Sequence, residues 1–387
     1  MRHDIYLDNG ATTSLSKEVI NEISPYIYEE YGNPSSNYSF SLKSREAIDK
    51  ARRIIAEYLG VNKNEIYFTS GGSESDNWAI KGIALANREK GNHIITTKIE
   101  HHAVLNSCKY LENLGFDVTY INVDENGVVN LNELESAVKP ETILISVMFA
   151  NNEIGTIEPI KEIGEIAEKH NIIFHTDAVQ AYGHIDIKVK EYKIHALSAS
   201  AHKINGPKGI GILYLKNNVN IDSLIHGGEQ ERNKRAGTYN TFGIVGFGKA
   251  TEIAKRDLIK VNEYERKLRD YFIERLINEV DHVKLNGHRI RRLSNNINIS
   301  FKDLEGESIK ILLDKAGIYV STGSACTSTS KRPSHVLKAI GSQKDYIGGT
   351  IRLTISKETT EEEIDYVIDE IKKIINKLRN INEITKN

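Results

Sequence analysis

Short apolar runs rich in β-branched residues alternate with longer amphipathic stretches along the first two thirds of the chain. The apolar runs are predicted to be buried strands at residues 66–69, 93–96, 118–121, 143–147 and 172–175. Helices are predicted between them, for example at residues 74–89 and 160–169. Such alternation predicts an α/β fold in which helices cover both faces of a mostly parallel sheet. Ligands of such sheets bind at the carboxyl ends of the strands.

The pattern changes beyond about residue 257, where charged amphipathic stretches dominate. The expected elements there are a helix at 262–279, a strand at 296–301, a helix near 307–315 and a final helix with an apolar stripe from Ile364 to Leu378. A capping-box pattern, Thr360-x-x-Glu363, precedes the last of these. We therefore predict three parts: an N-terminal segment at 1–16 that packs with the small domain, a large domain at 17–256 and a small C-terminal domain at 257–387.

Composition narrows the class of protein. The 387 residues include 51 Lys and Arg against 53 Asp and Glu, so the formal net charge of −2 gives no global field that would recruit nucleic acid or a membrane. No apolar run approaches the ~20 residues that span a bilayer. Two cysteines cannot form a disulfide framework or a four-thiolate metal site, and no signal peptide is predicted. We expect a reducing, cytoplasmic setting.

Three segments are candidates for a shared chemistry. Residues 69–76, Thr-Ser-Gly-Gly-Ser-Glu-Ser-Asp, follow a strand and open a helix, so they suit either a phosphate cradle or a plain helix cap. Asp177 ends a buried strand, where it either caps a helix or holds a protonated ring nitrogen. Lys203 ends a small-residue segment before a glycine turn, as a Schiff-base lysine would. Together they suggest pyridoxal phosphate, with its phosphate on the cradle.

Cys326 lies in a run of small residues, Ser-Thr-Gly-Ser-Ala-Cys-Thr-Ser at 321–328, that cannot build a core. A thiol there should be reachable, which favours a nucleophile. A cysteine tolerated in a flexible loop is the alternative. Cys108, within the helical stretch 103–114, is expected to be a packed small hydrophobe instead.

These residues belong to a set of motifs through which the chain resembles the cysteine desulfurases of the NifS/IscS type, within the class V aminotransferase-like pyridoxal phosphate enzymes. In family order the motifs are residues 6–13, 32–36, 69–77, 100–102, 151–155, 175–180, 200–209, 227–231 with 235–238, 324–328 and 351–353. The resemblance covers nearly the whole chain. It implies the transferase fold of aspartate aminotransferase, with a seven-stranded, mostly parallel sheet in the cofactor-binding large domain. The smaller α+β C-terminal domain would carry the cysteine loop.

The resemblance also implies roles for single residues. Lys203 would form the Schiff base with the cofactor, and Asp177 would pair with its ring nitrogen. Gln180 and Asn152 would contact the ring oxygen, and His101 would stack on the ring as a further catalytic residue. Residues expected to hold the phosphate are Gly72, Ser73, Ser200 and His202.

Three further roles depend on the same resemblance. Thr238 would reach the phosphate from a second subunit of a homodimer, and Arg352 and Asn33 would grip the substrate carboxylate. Arg352 as a surface charge and Asn33 as a turn residue are the alternatives. His101 next to His102 suggests half a metal site, but no third ligand pattern is evident, so we expect no metal.

The implied reaction converts L-cysteine to L-alanine. The Lys203 amine removes the Cα proton, and the Cys326 thiolate attacks the substrate sulfur, which leaves a persulfide on Cys326. The sulfur then passes to an acceptor protein, an iron–sulfur scaffold or a thiolation enzyme. A transaminase or β-lyase is the rival within the fold. A scaffold that uses Cys326 as a cluster ligand is the non-catalytic rival, but it would not need Lys203, Asp177 and Arg352 together.

Overall fold

The structure, a computed structural model, describes residues 4–322 and 333–386. Its strands are β1 (Ile5–Tyr6), β2 (Ile66–Thr69), β3 (His93–Thr97), β4 (Asp117–Ile121), β5 (Thr142–Ser146), β6 (Ile173–Asp177), β7 (Ala196–Ser200), β8 (Gly211–Leu215), β9 (Val283–Leu285), β10 (Asn296–Phe301), β11 (Ile318–Tyr319) and β12 (Thr350–Thr354). Its α-helices are α1 (Lys17–Ile23), α2 (Pro25–Tyr28), α3 (Leu42–Leu59), α4 (Gly72–Asn77), α5 (Ile83–Ala86), α6 (His102–Glu112), α7 (Leu131–Ser136), α8 (Ile160–Lys169), α9 (Gln230–Asn233), α10 (Thr241–Glu279), α11 (Gly306–Lys315), α12 (His335–Ala339), α13 (Lys344–Ile347) and α14 (Glu361–Lys386).

The central sheet has seven strands in the order β2-β8-β7-β6-β5-β3-β4. Neighbours from β7 through β4 run parallel, and β8 is antiparallel to both of its neighbours. The predicted mostly parallel seven-stranded sheet is therefore confirmed. The sequence pattern did not flag β7 as a strand, because Ala196-Leu-Ser-Ala-Ser200 has no β-branched residue and is buried through its small size.

A second core lies in the C-terminal part of the chain. A three-stranded antiparallel sheet, β12-β10-β9, packs there with α11 and α14. The N-terminal segment joins this core, because β1 pairs with β11 and the side chains of Ile5 and Leu7 are buried within it. The segment then continues past β12, where the backbone N–H of Thr354 donates to the Leu7 carbonyl at 2.7 Å.

Helix α10 connects the two cores without a break. Its first half buries Ile244 and Phe247 in the core under the large sheet. Its second half buries Leu268 and Phe272 in the C-terminal core. The predicted boundary at 256/257 thus falls inside a 39-residue helix, and the division into three parts stays a prediction. Within the described part of the chain, no helix is both long enough and apolar enough to cross a membrane.

The helix predicted at 74–89 is interrupted and shifted toward the N-terminus. It begins at Gly72 as α4, passes through a π-helical turn at Trp78–Gly82 and ends with α5 at Ala86. The end is fixed by Asn87, whose side-chain amide donates to the Ile83 carbonyl at 2.8 Å. The early start matters more for function, because it brings Gly71 and Gly72, at the start of α4, to the edge of the sheet.

Gly211, the first residue of β8, holds that glycine turn against the sheet. A Cβ atom at position 211 would lie 2.6 Å from the Cα of Gly71 and 2.7 Å from the carbonyl oxygen of Ala199. Contacts this short do not occur between real atoms, so any side chain at 211 must push the turn away. The turn can therefore take this position only because residue 211 is a glycine and has no Cβ atom.

We expect Gly211→Ala to lower the free energy of unfolding by about 1–3 kcal/mol, because the methyl group overpacks this junction. Urea denaturation measures the change. Gly348→Ala is the matched control, since a Cβ there would meet only the Leu304 carbonyl oxygen, at 3.4 Å. Equal stability of Gly211→Ala and the unaltered protein would show that the turn moves freely.

Candidate active site

A cavity of about 310 Å³ opens at the carboxyl edge of the parallel strands, where the fold predicts a ligand site. Asp177 ends β6, and Lys203 closes the 3-10 turn that follows β7. Arg352 reaches the cavity from β12 of the C-terminal core. The predicted site residues on its wall are Gly72, Ser73, His101, Asn152, Asp177, Gln180, Ser200, His202, Lys203 and Arg352.

The amine of Lys203 is held by the N-terminal segment. Its Nζ donates to the carbonyl oxygens of Gly10, at 2.5 Å, and Ala11, at 2.8 Å. The Gln180 amide donates to the same Gly10 carbonyl at 3.0 Å. Two carbonyl dipoles thus stabilise the ammonium form of Lys203 and fix where its nitrogen lies in the cavity.

Asp177 supplies a buried carboxyl group on the floor of the cavity. One of its oxygens accepts the backbone N–H of Val179 at 2.9 Å. Burial raises the pKa of Asp177, while His101, the Val179 N–H and Lys203 act to lower it. A carboxylate in such a place gains most from a cation that enters the cavity, and a protonated pyridine nitrogen is such a cation.

His101 is the N-cap residue of α6. Its Nδ1 accepts the backbone N–H of Ala103 at 3.1 Å, so in the neutral ring the hydrogen is on Nε2. The cap fixes the ring at the cavity wall. This placement is compatible with stacking on a planar cofactor, which stays a prediction.

The end of the cavity beside Gly72 can accept a phosphate. A Cβ atom at Gly72 would lie 2.5 Å from the side chain of Val179, so only glycine lets the backbone turn here. A more open cavity of about 390 Å³ continues from this point, lined by the hydroxyl groups of Ser73 and Ser200 and by Lys208. Burial lowers the pKa of His202, also on this wall, to about 4, so its ring is a neutral hydrogen-bonding group at pH 7.

Arg352 is the charged group that faces the other end of the cavity. It is 2% exposed, and it donates to Asp8 Oδ1 at 2.7 Å and to the Asn152 carbonyl oxygen at 3.0 Å. Its Nε–H has no partner among the residues described. A buried donor left over on a guanidinium suits a carboxylate ligand, which completes the hydrogen bonding.

Three predicted residues are not on this wall. Asn33 is exposed, and its Oδ1 accepts the Ser35 N–H at 3.0 Å in a turn. Thr238 is also exposed. Cys326 lies outside the described residues. The roles of all three stay predictions.

Several residues on the wall were given no role in the site by sequence reasoning, among them Gly10, Asp76, Glu153 and His335. The His335 ring lies 4.8 Å from the ring of His102, and its Nε2–H donates to the Glu100 carbonyl oxygen at 2.9 Å. Nothing local in the sequence marks His335. Asp8 and Gly10 do lie in the quoted motif at 6–13, where a carboxylate near a glycine was a usable signal.

One group among the described residues has metal-binding geometry, formed by Asp76, His101 and Asp177 with their ligand atoms within 4.8 Å of one another. It coincides with the cavity floor where Asp177 is expected to meet a ring nitrogen. We therefore expect the cofactor ring at this place. The expected absence of a metal stays a prediction.

Glu100 is a buried carboxyl behind His101. Its Oε1 accepts the Thr97 hydroxyl at 2.6 Å and the Met148 N–H at 2.9 Å, whereas Oε2 has no partner in the described part of the chain. Burial raises the pKa of Glu100 to about 8. In the folded protein the Glu100 carboxyl is therefore mostly protonated at neutral pH.

Known proteins resemble this chain over nearly its full length. A family model described as Aminotransferase class-V matches residues 5–367. A protein named "Cysteine desulfurase IscS" from Methanosarcina thermophila is 55% identical over 381 residues, which cover 98% of this chain and 94% of that protein. A protein of the same name from Clostridium botulinum (strain Hall) is 54% identical, with 99% and 97% covered.

Solved structures agree with these relatives. A "NIFS-LIKE PROTEIN" superposes with a TM-score of 0.92 at 40% identity and covers 97% of this chain and 100% of its own. A structure titled "SspA in complex with cysteine" gives a TM-score of 0.82 at 39% identity, with 92% and 100% covered. Sequence and fold therefore point to one family.

We expect Glu100→Gln to stabilise the protein at high pH. The raised pKa means that the native fold loses stability as pH rises from about 4.5 to about 8, where Glu100 must ionise. The amide keeps the Oε1 contacts and never ionises, so its advantage should be near zero at pH 5 and reach up to about 5 kcal/mol above pH 8. Urea unfolding at both pH values measures it. Glu125→Gln, at an exposed position, is the control, and a pH-independent effect of Glu100→Gln would contradict the expectation.

Proposed function

The chain belongs to the aminotransferase class-V family and is a cysteine desulfurase that uses pyridoxal phosphate, and we propose that Lys203, Asp177 and Arg352 carry its reaction. The observation that supports this assignment most is their convergence on one cavity from three separate elements. An amine, a buried carboxyl and a guanidinium with a spare donor are the groups that the chemistry of an amino acid on this cofactor requires.

Lys203 has two tasks at one atom. Its Nζ would hold the cofactor at the aldehyde carbon, and as a free amine it would accept the proton from the substrate Cα. The Gly10 and Ala11 carbonyl oxygens accept hydrogen bonds from this nitrogen in its ammonium form, so they stabilise Lys203 once it carries the proton. When bound, pyridoxal phosphate supplies an electron sink for the pair left at Cα.

Asp177 keeps a proton on the cofactor's ring nitrogen. Its carboxylate is oriented by the Val179 N–H, and burial removes the water that would otherwise compete for it. Arg352 binds the carboxylate of L-cysteine. Since Asp8 and the Asn152 carbonyl already fix the guanidinium, the substrate meets a group that needs no reorganisation.

Cys326 accepts the sulfur. Its thiolate attacks the substrate sulfur, the carbon–sulfur bond breaks with its electron pair left on Cβ, and that carbon is then protonated to give alanine. The sulfur stays on Cys326 as a persulfide. The small residues at 321–328 support this role, because a thiol in such a sequence is expected to be accessible.

We expect Cys326→Ala to keep pyridoxal phosphate but to lose sulfur transfer by about 100-fold or more, because no other nucleophile takes the sulfur. Alanine formation from L-cysteine, together with mass spectrometry of protein-bound sulfane sulfur, measures the loss. Cys108→Ala is the matched control and should remain active, since Cys108 is buried and burial raises the pKa of its thiol to about 12.

Two results would redirect the assignment. Formation of pyruvate and sulfide, or of a 2-oxo acid that keeps its sulfur, at a rate unchanged in Cys326→Ala would mean a lyase or a transaminase that acts through the cofactor alone. Absence of alanine from the unaltered protein with bound cofactor would mean a different amino acid substrate.

We further propose that the protein is a homodimer in which Thr238 contacts the phosphate bound by the partner. Large apolar side chains stand exposed in the N-terminal helical region, including Tyr31 at 71% and Phe40 at 47%, whose rings lie 5.0 Å apart. Exposed apolar clusters of this kind mark interfaces. The open phosphate end of the cavity, beside Ser73 and Lys208, offers room for a residue from a second subunit.

Mixed dimers test the contribution of Thr238. The Thr238→Val homodimer should bind pyridoxal phosphate about 10–100-fold more weakly, since a hydrogen bond to a charged group is lost. A dimer of one Thr238→Val and one Lys203→Ala subunit should have about half of the normal activity and normal cofactor affinity, because its one competent site receives the intact threonine. A dimer of one unaltered and one Lys203→Ala subunit is the control. Weak binding in the mixed dimer would place Thr238 in its own subunit's site.

The persulfide requires an acceptor, and we propose a protein that presents a thiol to Cys326. An iron–sulfur scaffold ranks first and a thiolation enzyme second, although the catalytic residues would serve both equally. The cytoplasmic setting expected from the sequence stays a prediction.

A further inference from the structure

Asp76 is a second buried carboxyl on the cavity floor, and the reaction described above gives it no role. It lies in α4, is 1% exposed and lines the cavity beside Asp177. Its Oδ1 has no hydrogen-bond partner among the described residues. Carboxyl oxygens of Asp76 and Asp177 lie within 4.8 Å of each other. A polar atom buried without a partner at a ligand site calls for an explanation.

Two imidazole rings are the basic neighbours of Asp76. The Nε2 of His175 lies 3.7 Å from Asp76 Oδ1, and a ring nitrogen of His101 lies within 4.8 Å of an Asp76 carboxyl oxygen. Burial lowers the pKa of His175 to about 3, so this ring is neutral, and its two nitrogens already contact the hydroxyls of Ser146, at 2.9 Å, and Ser198, at 3.1 Å. An ionised Asp76 would be a buried charge that the neutral His175 ring does not compensate.

The other titratable groups around Asp76 favour its neutral form. The carboxyl groups of Asp177, in β6, and Glu100, between β3 and α6, both act to raise the pKa of Asp76. His101 and Lys203 act on Asp177. Burial, followed by the repulsion from Asp177, raises the pKa of Asp76 well above its usual range, while a hydrogen bond from the Ser198 hydroxyl acts to lower it. Of the two carboxyl groups, Asp76 therefore favours the protonated form, and Asp177 has the neighbours that favour the carboxylate.

A protonated carboxyl has one O–H donor, and the strongest acceptor within reach is a carboxylate. We propose that Asp76 is a positioning residue that donates a hydrogen bond to the Asp177 carboxylate and so keeps Asp177 ionised and aimed at the cofactor's ring nitrogen. This inference rests on the proposed role of Asp177. One oxygen of Asp177 is already fixed by the Val179 N–H, so the bond from Asp76 fixes the remaining freedom of the group.

The consequence concerns where one proton resides. With the donor present, Asp177 is a weaker base and the proton stays on the ring nitrogen, so the ring draws electrons from the substrate Cα. Without the donor, Asp177 binds protons more tightly and competes with the ring nitrogen. Proton removal by Lys203 then slows even though Lys203 itself is unchanged.

Two variants test whether Asp76 acts as a neutral hydrogen-bond donor or as an anion. Asp76→Asn and Asp76→Leu fill a similar volume and neither is charged, but only Asn can donate a hydrogen bond. For Asp76→Leu we expect about tenfold weaker binding of pyridoxal phosphate and about tenfold slower exchange of the Cα hydrogen of L-alanine in D₂O, followed by NMR. The pH midpoint of the bound cofactor's visible absorbance should move to higher pH, because a ring nitrogen without its proton draws fewer electrons from the nitrogen that joins the cofactor to Lys203 and leaves that nitrogen more basic. Asp76→Asn should restore most of the affinity and exchange rate and the original midpoint.

Exchange of alanine does not involve Cys326, so it tests Asp76 and Lys203 apart from sulfur transfer. No exchange by the unaltered holoenzyme would count against the proposed function itself. With exchange established, equal impairment of Asp76→Asn and Asp76→Leu would overturn the inference in favour of an anionic Asp76. An Asp76→Leu variant indistinguishable from the unaltered protein would overturn it as well. If the Leu variant does not fold, as judged by circular dichroism, Asp76→Ala takes its place as the variant without a donor.

Discussion

The active site depends on the parallel pairing of β6 with β7. Because these strands are neighbours and point the same way, Asp177 at the end of one and Lys203 just beyond the other meet at one edge of the sheet. The cofactor's ring nitrogen and aldehyde lie on opposite sides of one ring, so the two residues must be held a ring apart. Backbone hydrogen bonds in the middle of a sheet hold them more rigidly than a loop would.

The N-terminal segment connects this edge to the C-terminal core. Ile5 is buried in that core, Asp8 fixes the guanidinium of Arg352, and the carbonyls of Gly10 and Ala11 hold the Lys203 amine. A few residues thus orient both Arg352 and Lys203, the cation and the amine to which we assign substrate binding and proton transfer. Helix α10 provides the second connection between the cores. The N-terminal segment and α10 therefore hold the Arg352 end and the Lys203 end of the cavity in a fixed relative position.

The electrostatics of the floor follow from burial. Carboxyl groups collect there, Asp76 and Asp177 in the cavity and Glu100 behind His101, and burial raises the pKa of each. Such a region is unfavourable for several negative charges at once and favourable for a single anion beside a cation. A floor of this kind favours a ligand that carries a protonated nitrogen, in line with the role proposed for Asp177.

The sequence by itself predicted the parallel sheet and, at its cofactor edge, the segment 69–76, Asp177 and Lys203, because strand periodicity is local and motifs at strand ends must converge at that edge. The other wall residues were implied by the resemblance to a known family. It did not reveal β7 as a strand, and it gave no role to Asp76 or His335. Those depend on contacts between distant segments, since small buried residues and lone polar residues look alike until neighbours surround them. Only the tertiary structure decided that Asp8 meets Arg352 across 344 positions and that Asp76 lies buried beside Asp177.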